Sequence, residues 1–148
     1  MEYAVATRRD IPFICQTYNE NIQSLHGVPR DHQAWEQLLE KEKTTYYIVS
    51  AAAPVAWFRL DAEDGGFWLG MLQVKPSCQR KGIGRAILAV AEQLAKEKGY
   101  QKLGIHTTED NLPARALYAS AGYTVTEIGP CTTADGVERV GYTFEKEL

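Results

Sequence analysis

Apolar positions recur at helical spacing in two early stretches and then switch to strand-like runs. Ile11, Ile14, Cys15 and Tyr18 fall three and four residues apart, with Ile22 continuing the stripe, which predicts a first helix. Asp10 reads as its N-cap, and Pro12 sits in its first turn, where a missing N–H costs nothing. Ahead of it, Tyr3 to Ala6 reads as a short strand. After a break at His26-Gly27-Val28-Pro29, Asp31 caps a second helix carrying Trp35, Leu38 and Leu39 on one face. Tyr46–Val49 and Val55–Leu60 then read as strands joined at Ala53-Pro54, Asp61–Gly66 as a polar turn, and Phe67–Val74 as the third strand of a meander. A long helix follows, with Ile83, Ile87, Val90, Ala91 and Leu94 on one face, Glu92, Lys96 and Lys98 mostly on the other, and Gly99 as terminator. Lys102–Thr107 is a predicted strand, Leu112–Ala121 a helix, and Tyr123–Ile128 and Val140–Glu145 the last strands. Strands and helices mix without strict alternation, which predicts an α/β (α+β) domain with a mixed sheet rather than a regular doubly wound fold.

Composition narrows this picture. At 148 residues the sequence suits one domain over 1–148, and no linker, repeat or low-complexity stretch divides it. Hydrophobic residues make up 45 % and charged residues 24 %, the balance of a globular protein. No apolar run reaches the ~18 residues of a membrane span, so no membrane partner is expected. Met1 to Val5 lacks the basic flank of a secretory signal. Cys15, Cys78 and Cys131 fit neither a disulfide framework nor a metal-ligand spacing, which predicts a cytoplasmic protein without a metal. A formal charge of −3 argues against a nucleic-acid partner, which requires a basic face, and is compatible with a cationic acceptor.

The candidate chemistry lies in Leu72-Gln73-Val74-Lys75-Pro76-Ser77-Cys78-Gln79-Arg80-Lys81-Gly82-Ile83-Gly84-Arg85-Ala86. A strand ends, a loop turns at Pro76, and two glycines open a helix. A helix mouth leaves N–H groups without intrahelical partners and carries partial positive charge, and glycine lets a phosphate approach without striking a Cβ. Arg80, Lys81 and Arg85 add formal charge. A solvated glycine-rich turn is the plain alternative. Two named phosphate sites fail on the residues. No Gly-Lys-Ser/Thr follows four spacers, and a dinucleotide fingerprint would need a small residue at Ile87 and an acid near Gln101-Lys102.

Gln79-Arg80-Lys81-Gly82-Ile83-Gly84, preceded by Val74-Lys75-Pro76, resembles the Gln/Arg-x-x-Gly-x-Gly/Ala signature of the GCN5-related N-acetyltransferase (GNAT) family. The likeness continues through Asn111-Leu112-Pro113-Ala114-Arg115-Ala116-Leu117-Tyr118 to Ala121-Gly122-Tyr123, with a looser match at Ala6–Asp10. The resemblance implies a mixed sheet splayed between its fourth and fifth strands and flanked by helices, with acetyl-coenzyme A as acyl donor in the gap. It further implies that backbone groups of Leu72 and Val74 bond the pantetheine arm, and that the amides of Arg80, Lys81, Gly82, Gly84 and Arg85 hold the pyrophosphate. Asn111 is read both as a helix N-cap and as a contact to the cofactor arm, and Ala114 as a small residue beside it.

Tyr118 occupies the family's general-acid position, two turns beyond Asn111. A phenol, ordinarily near pKa 10, stays protonated at neutral pH and can donate to a departing thiolate. The base is less defined. Where histone-modifying relatives carry a glutamate, this chain has Trp68. By the offset of ribosomal-protein alanine acetyltransferases the position is His106, an adequate base as an imidazole and equally an ordinary strand histidine. Glu109, Asp61, Glu63 or Asp64 acting through water are further alternatives, the last three also reading as a solvated turn.

The implied acceptor, a small-molecule or peptide amine, would lie between His26–Asp31 and Gly129–Gly136. Tyr18, Trp35 and Trp57 are either pocket lining or core. The resulting reading is an N-acetyltransferase acting by direct attack of the amine, compatible with a homodimer. Its alternatives are a non-catalytic acyl-CoA sensor and, disfavoured by charge, a nucleic-acid binder.

Overall fold

The computed structural model describes residues 1–148, with seven strands in one sheet ordered β1-β2-β3-β4-β5-β7-β6. β1 (Glu2–Val5), β2 (Thr44–Ser50), β3 (Pro54–Glu63) and β4 (Gly66–Val74) are antiparallel neighbours. β5 (Lys102–Thr108) runs parallel to β4, and β7 (Glu138–Glu147) pairs antiparallel with both β5 and the edge strand β6 (Thr124–Thr132). The mixed, helix-flanked sheet matches the expected fold class.

β2 and β3 are apolar on both faces because both faces are covered. Tyr46, Ile48 and Trp57 turn to α1 (Ile11–Glu20) and α3 (His32–Leu39), while Tyr47, Val49, Phe58 and Leu60 turn to α4 (Ile83–Glu97) and α5 (Leu112–Ser120). Trp35 centres the first layer, with ring centroids 5.2 Å from Tyr18 and 5.8 Å from Trp57, both near edge-on. These three aromatics are fully buried core.

β4 and β5 pair only at Trp68↔Gly104 and Leu69↔Ile105, then part. The separation starts beside a bulge. Arg59 faces Met71 and Leu60 faces Leu69, leaving Gly70 as the extra residue of β4. A Cβ on Gly70 would collide with the Asp61 carboxylate and the Arg59 guanidinium, which form an ion pair of 3.0 Å across that spot.

Four local expectations change. Asp10 does not cap α1. The chain enters through a 3-10 turn, and the Asp10 carboxylate instead accepts the Thr7 N–H at 2.8 Å. The polar turn at Asp61–Gly66 shrinks to Asp64-Gly65, both with positive φ, because Asp61 belongs to β3 and is committed to Arg59 and to the Thr44 hydroxyl at 2.9 Å. Asp61 is therefore neither part of a solvated turn nor a free base. Gly129–Thr132, expected as loop, extends β6. Pro130 is tolerated because β6 is an edge strand. The α1 stripe also breaks at Asn21, so Ile22 opens a separate short helix, α2 (Ile22–Leu25).

Candidate active site

The gap between β4 and β5 opens into a cleft of about 1110 Å³, walled by β4, the α4 mouth, α5, α2 and β6–β7. Its first wall is exposed backbone. Lys75 N–H donates to Val55 at 2.9 Å, which fixes the phase of the β3–β4 ladder. Leu72 and Val74 consequently present their main-chain groups to the open side. Those of Leu72 are free. The Val74 carbonyl already accepts from Asn21 Nδ2 and Gln79 Nε2, each at 3.1 Å.

The amides of Arg80 through Arg85 have no acceptor in the protein, whereas the N–H of Gln79 bonds Pro76 and that of Ala86 bonds Gly82. Gly82 holds φ +82° at the head of α4, and a Cβ there would meet nothing within 4 Å, so the position is open and set by backbone conformation. Gly84 differs. A Cβ there would come within 3.0 Å of a Leu117 methyl, so this glycine also lets α4 approach α5. Arg80 and Arg85 line the cleft; the Lys81 side chain does not. The Arg85 guanidinium is held by the Ser120 hydroxyl at 2.6 Å. Six unshared donors with two cations at a helix mouth fit a diphosphate.

Asn111 caps α5, its side chain accepting the Ala114 N–H at 3.3 Å, and it also lines the cleft with Ala114. Tyr118 lies on the same wall, 8 % exposed, edge-on to Phe144, and its hydroxyl bonds no protein group. Burial pushes its pKa up to about 12, so it remains a hydrogen-bond donor across the working range.

His106 sits one residue beyond the last β4–β5 pair, at the vertex of the gap. Its ring stacks on Trp68 at 4.6 Å and 11°, and Nδ1 lies 3.1 Å from the Thr143 hydroxyl. Trp68, proton-inert where relatives have a carboxylate, is thus a platform for the imidazole. Gly104 makes the stack feasible, since a Cβ there would strike the indole. Glu109 does not line the cleft.

The expected acceptor segments do meet. The Asp135 N–H donates to the His26 carbonyl at 3.1 Å, and His26 Nε2 donates to the Asp110 carboxylate at 2.8 Å, joining α2, the β6–β7 turn and the residue before Asn111. Arg30 is not free to meet an acceptor. Its guanidinium stacks over Tyr18 and Trp35, at 4.9 and 5.0 Å. Sequence reasoning missed Asn21 and buried Gln73. Asn21 donates to Gln73 Oε1 at 3.0 Å and accepts from Gln79 at 3.3 Å, tying the end of α1 to the first residue of the cradle. It also missed Thr143 and Glu127 on the cleft wall.

The family model for the acetyltransferase (GNAT) family matches residues 11–123. The chain belongs to that family. The family is one of acetyltransferases. Among curated proteins, mycothiol acetyltransferase of Clavibacter sepedonicus is 31 % identical over 67 residues, 45 % of this chain and 21 % of that protein. The stretches matched cover between a fifth and just over a quarter of such relatives' lengths. Among solved structures, the ribosomal-protein-alanine N-acetyltransferase of Brucella melitensis superposes with a TM-score of 0.83 at 18 % identity, covering 100 % of both chains. The yncA protein of Salmonella typhimurium, solved with acetyl-CoA, gives 0.79 at 19 % identity over 100 % of this chain and 94 % of that one. At these identities the structures speak for the fold. No helix of this GNAT chain is long and apolar enough to cross a membrane.

Proposed function

We propose that this GNAT chain, as a single domain, moves an acetyl group from acetyl-coenzyme A to a primary amine of a small molecule or a protein N-terminus, by direct attack on the thioester. The observation that carries the proposal is the run of six unshared amides from Arg80 to Arg85, all but that of Lys81 on residues lining the same cleft as the unpaired hydroxyl of Tyr118. Those amides, with Arg80 and Arg85, would hold the pyrophosphate, and the free backbone of Leu72 with Asn111 the pantetheine arm. Acetyl-coenzyme A supplies an acyl carbon, to which the amine nitrogen bonds, and a thiolate, which leaves with the electrons of the C–S bond.

His106 takes the proton that the amine must lose, its ring fixed by Thr143 on one nitrogen and by Trp68 on one face. Tyr118 donates a hydrogen bond to the departing sulfur. With its pKa near 12, handing the proton fully to a thiolate of pKa about 8.5 would be uphill by about 5 kcal/mol, so its weight lies in that hydrogen bond. The ribosomal-protein acetyltransferase of the same fold favours a protein N-terminus as one acceptor type. The test is thiol release from acetyl-coenzyme A across a panel of amines, beside calorimetric titration with coenzyme A. Binding with amine-dependent thiol release is expected. Binding without release would make the chain an acyl-CoA sensor, and absence of binding would overturn the reading.

A further inference from the structure

Four lining residues of the cleft carry or can acquire charge through an Arg, a His or a carboxylate: Arg80, Arg85, His106 and Glu127. They are segregated. The arginines flank the α4 mouth, whereas Glu127 lies past the vertex, on the half of the sheet formed by β5, β7 and β6. It stands in one cross-strand row, Glu127↔Thr143↔His106, on paired strands. Neighbours in such a row share a face and are spaced by roughly 5 Å per strand.

The row depends on a bulge. Val125 faces Phe144, but Glu127 faces Thr143, so Thr126 is the inserted residue and the bulge brings Glu127 to the face of His106. Thr126 turns to Glu145, its hydroxyl 2.9 Å from that carboxylate, and Glu145 is also held by Lys102 at 2.7 Å. Asp110, nearby, is taken by His26. Glu127 alone among these carboxylates has no hydrogen bond or ion pair, and it is the one on the cleft wall. No lysine or uncommitted arginine stands at this end to receive an acidic acceptor.

Resting on the acetyltransferase reading, we propose that Glu127 is the counter-ion for a second positive charge on the acceptor, so that the substrate class is a short aliphatic diamine. One amine, beside His106, is acylated; the other stays protonated against Glu127. An amino acid, whose carboxylate would face Glu127, is selected against.

The test compares 1,4-diaminobutane with butylamine. Binding of each to the protein saturated with coenzyme A is measured by calorimetry, which needs no turnover, and kcat/KM is measured with acetyl-coenzyme A. The diamine is expected to be preferred by about tenfold, the weight of one charge-assisted hydrogen bond. Glu127→Gln is expected to remove that preference, whereas the control Glu63→Gln, at the exposed end of β3 and off the cleft wall, retains it. Coenzyme A affinity of each variant reports that its fold and cofactor end are intact. A diamine bound no better than butylamine, or a preference that survives in Glu127→Gln, overturns the proposal. Failure of coenzyme A to bind overturns the underlying acetyltransferase reading instead.

Discussion

In the proposed mechanism, Tyr118 and His106 divide the proton work by environment. Tyr118 is enclosed by α5, Phe144 and Tyr123, and burial holds it neutral. His106 stands at the open vertex with one nitrogen engaged by Thr143. Tyr118→Phe should lower kcat by about 100-fold, the scale of acid–base contributions, and leave coenzyme A affinity within about twofold. Unaltered turnover in steady-state assays would remove Tyr118 from the mechanism. His106→Ala should flatten the acidic limb of the kcat/KM–pH profile, and a limb unchanged from wild type would exclude it as base. The raised pKa has its own consequence. Between the phenol's ordinary 10.0 and about 12 the folded protein keeps a proton that the unfolded chain has lost, so the stabilisation present below pH 10 declines above it. Denaturant titrations across that window should show stability falling with pH, less steeply in Tyr118→Phe. An equal slope in the variant would assign the loss to other groups.

At the scale of elements, the site is made where regular pairing stops. Gly70 ends the β4–β5 contact and leaves room for the Arg59–Asp61 pair, so Gly70→Ala must displace two half-buried charged groups. A loss of about 2 kcal/mol is expected from such overpacking, read as a lower denaturation midpoint. A midpoint within error of wild type would mean that the pair relocates freely. Asn21 links Gln73, Val74 and Gln79, so Asn21→Ala frees the loop that leads to the cradle. Coenzyme A affinity should fall about fivefold, near the 1 kcal/mol of a net hydrogen bond, with Tm little changed. An unaffected affinity would confine Asn21 to tying α1 to β4. These elements were unequally legible. Stripes such as Ile83–Ile87–Ala91 marked α4 because a helix writes its buried face at local spacing. Asp61 and Glu63 looked like turn residues because the partner that accounts for Asp61, Arg59, shows only once both lie on one face of β3. A glycine inside the β4 pattern was a readable hint of the bulge.

For the whole molecule, the splayed sheet and the cradle motif were legible together, because the proposed phosphate site is contiguous from Gln79 to Ala86 and its order relative to Asn111 and Tyr118 is fixed along the chain. The proposed acceptor end was not. His106, Thr143 and Glu127 lie on three strands, and a one-residue insertion at Thr126 decides which face Glu127 occupies; no local pattern encodes that. Trp68 marked a departure from the relatives' carboxylate, but its stack on His106 requires the β4–β5 register and the missing side chain at Gly104. The central claim concerns the amides at the α4 mouth, and amide hydrogen exchange with and without saturating coenzyme A tests it most directly. Exchange should slow at Arg80 through Arg85 on binding, with far less change at Gln79 and Ala86, whose N–H groups are already bonded within the protein. Coenzyme A that binds without protecting those six amides would contradict the account.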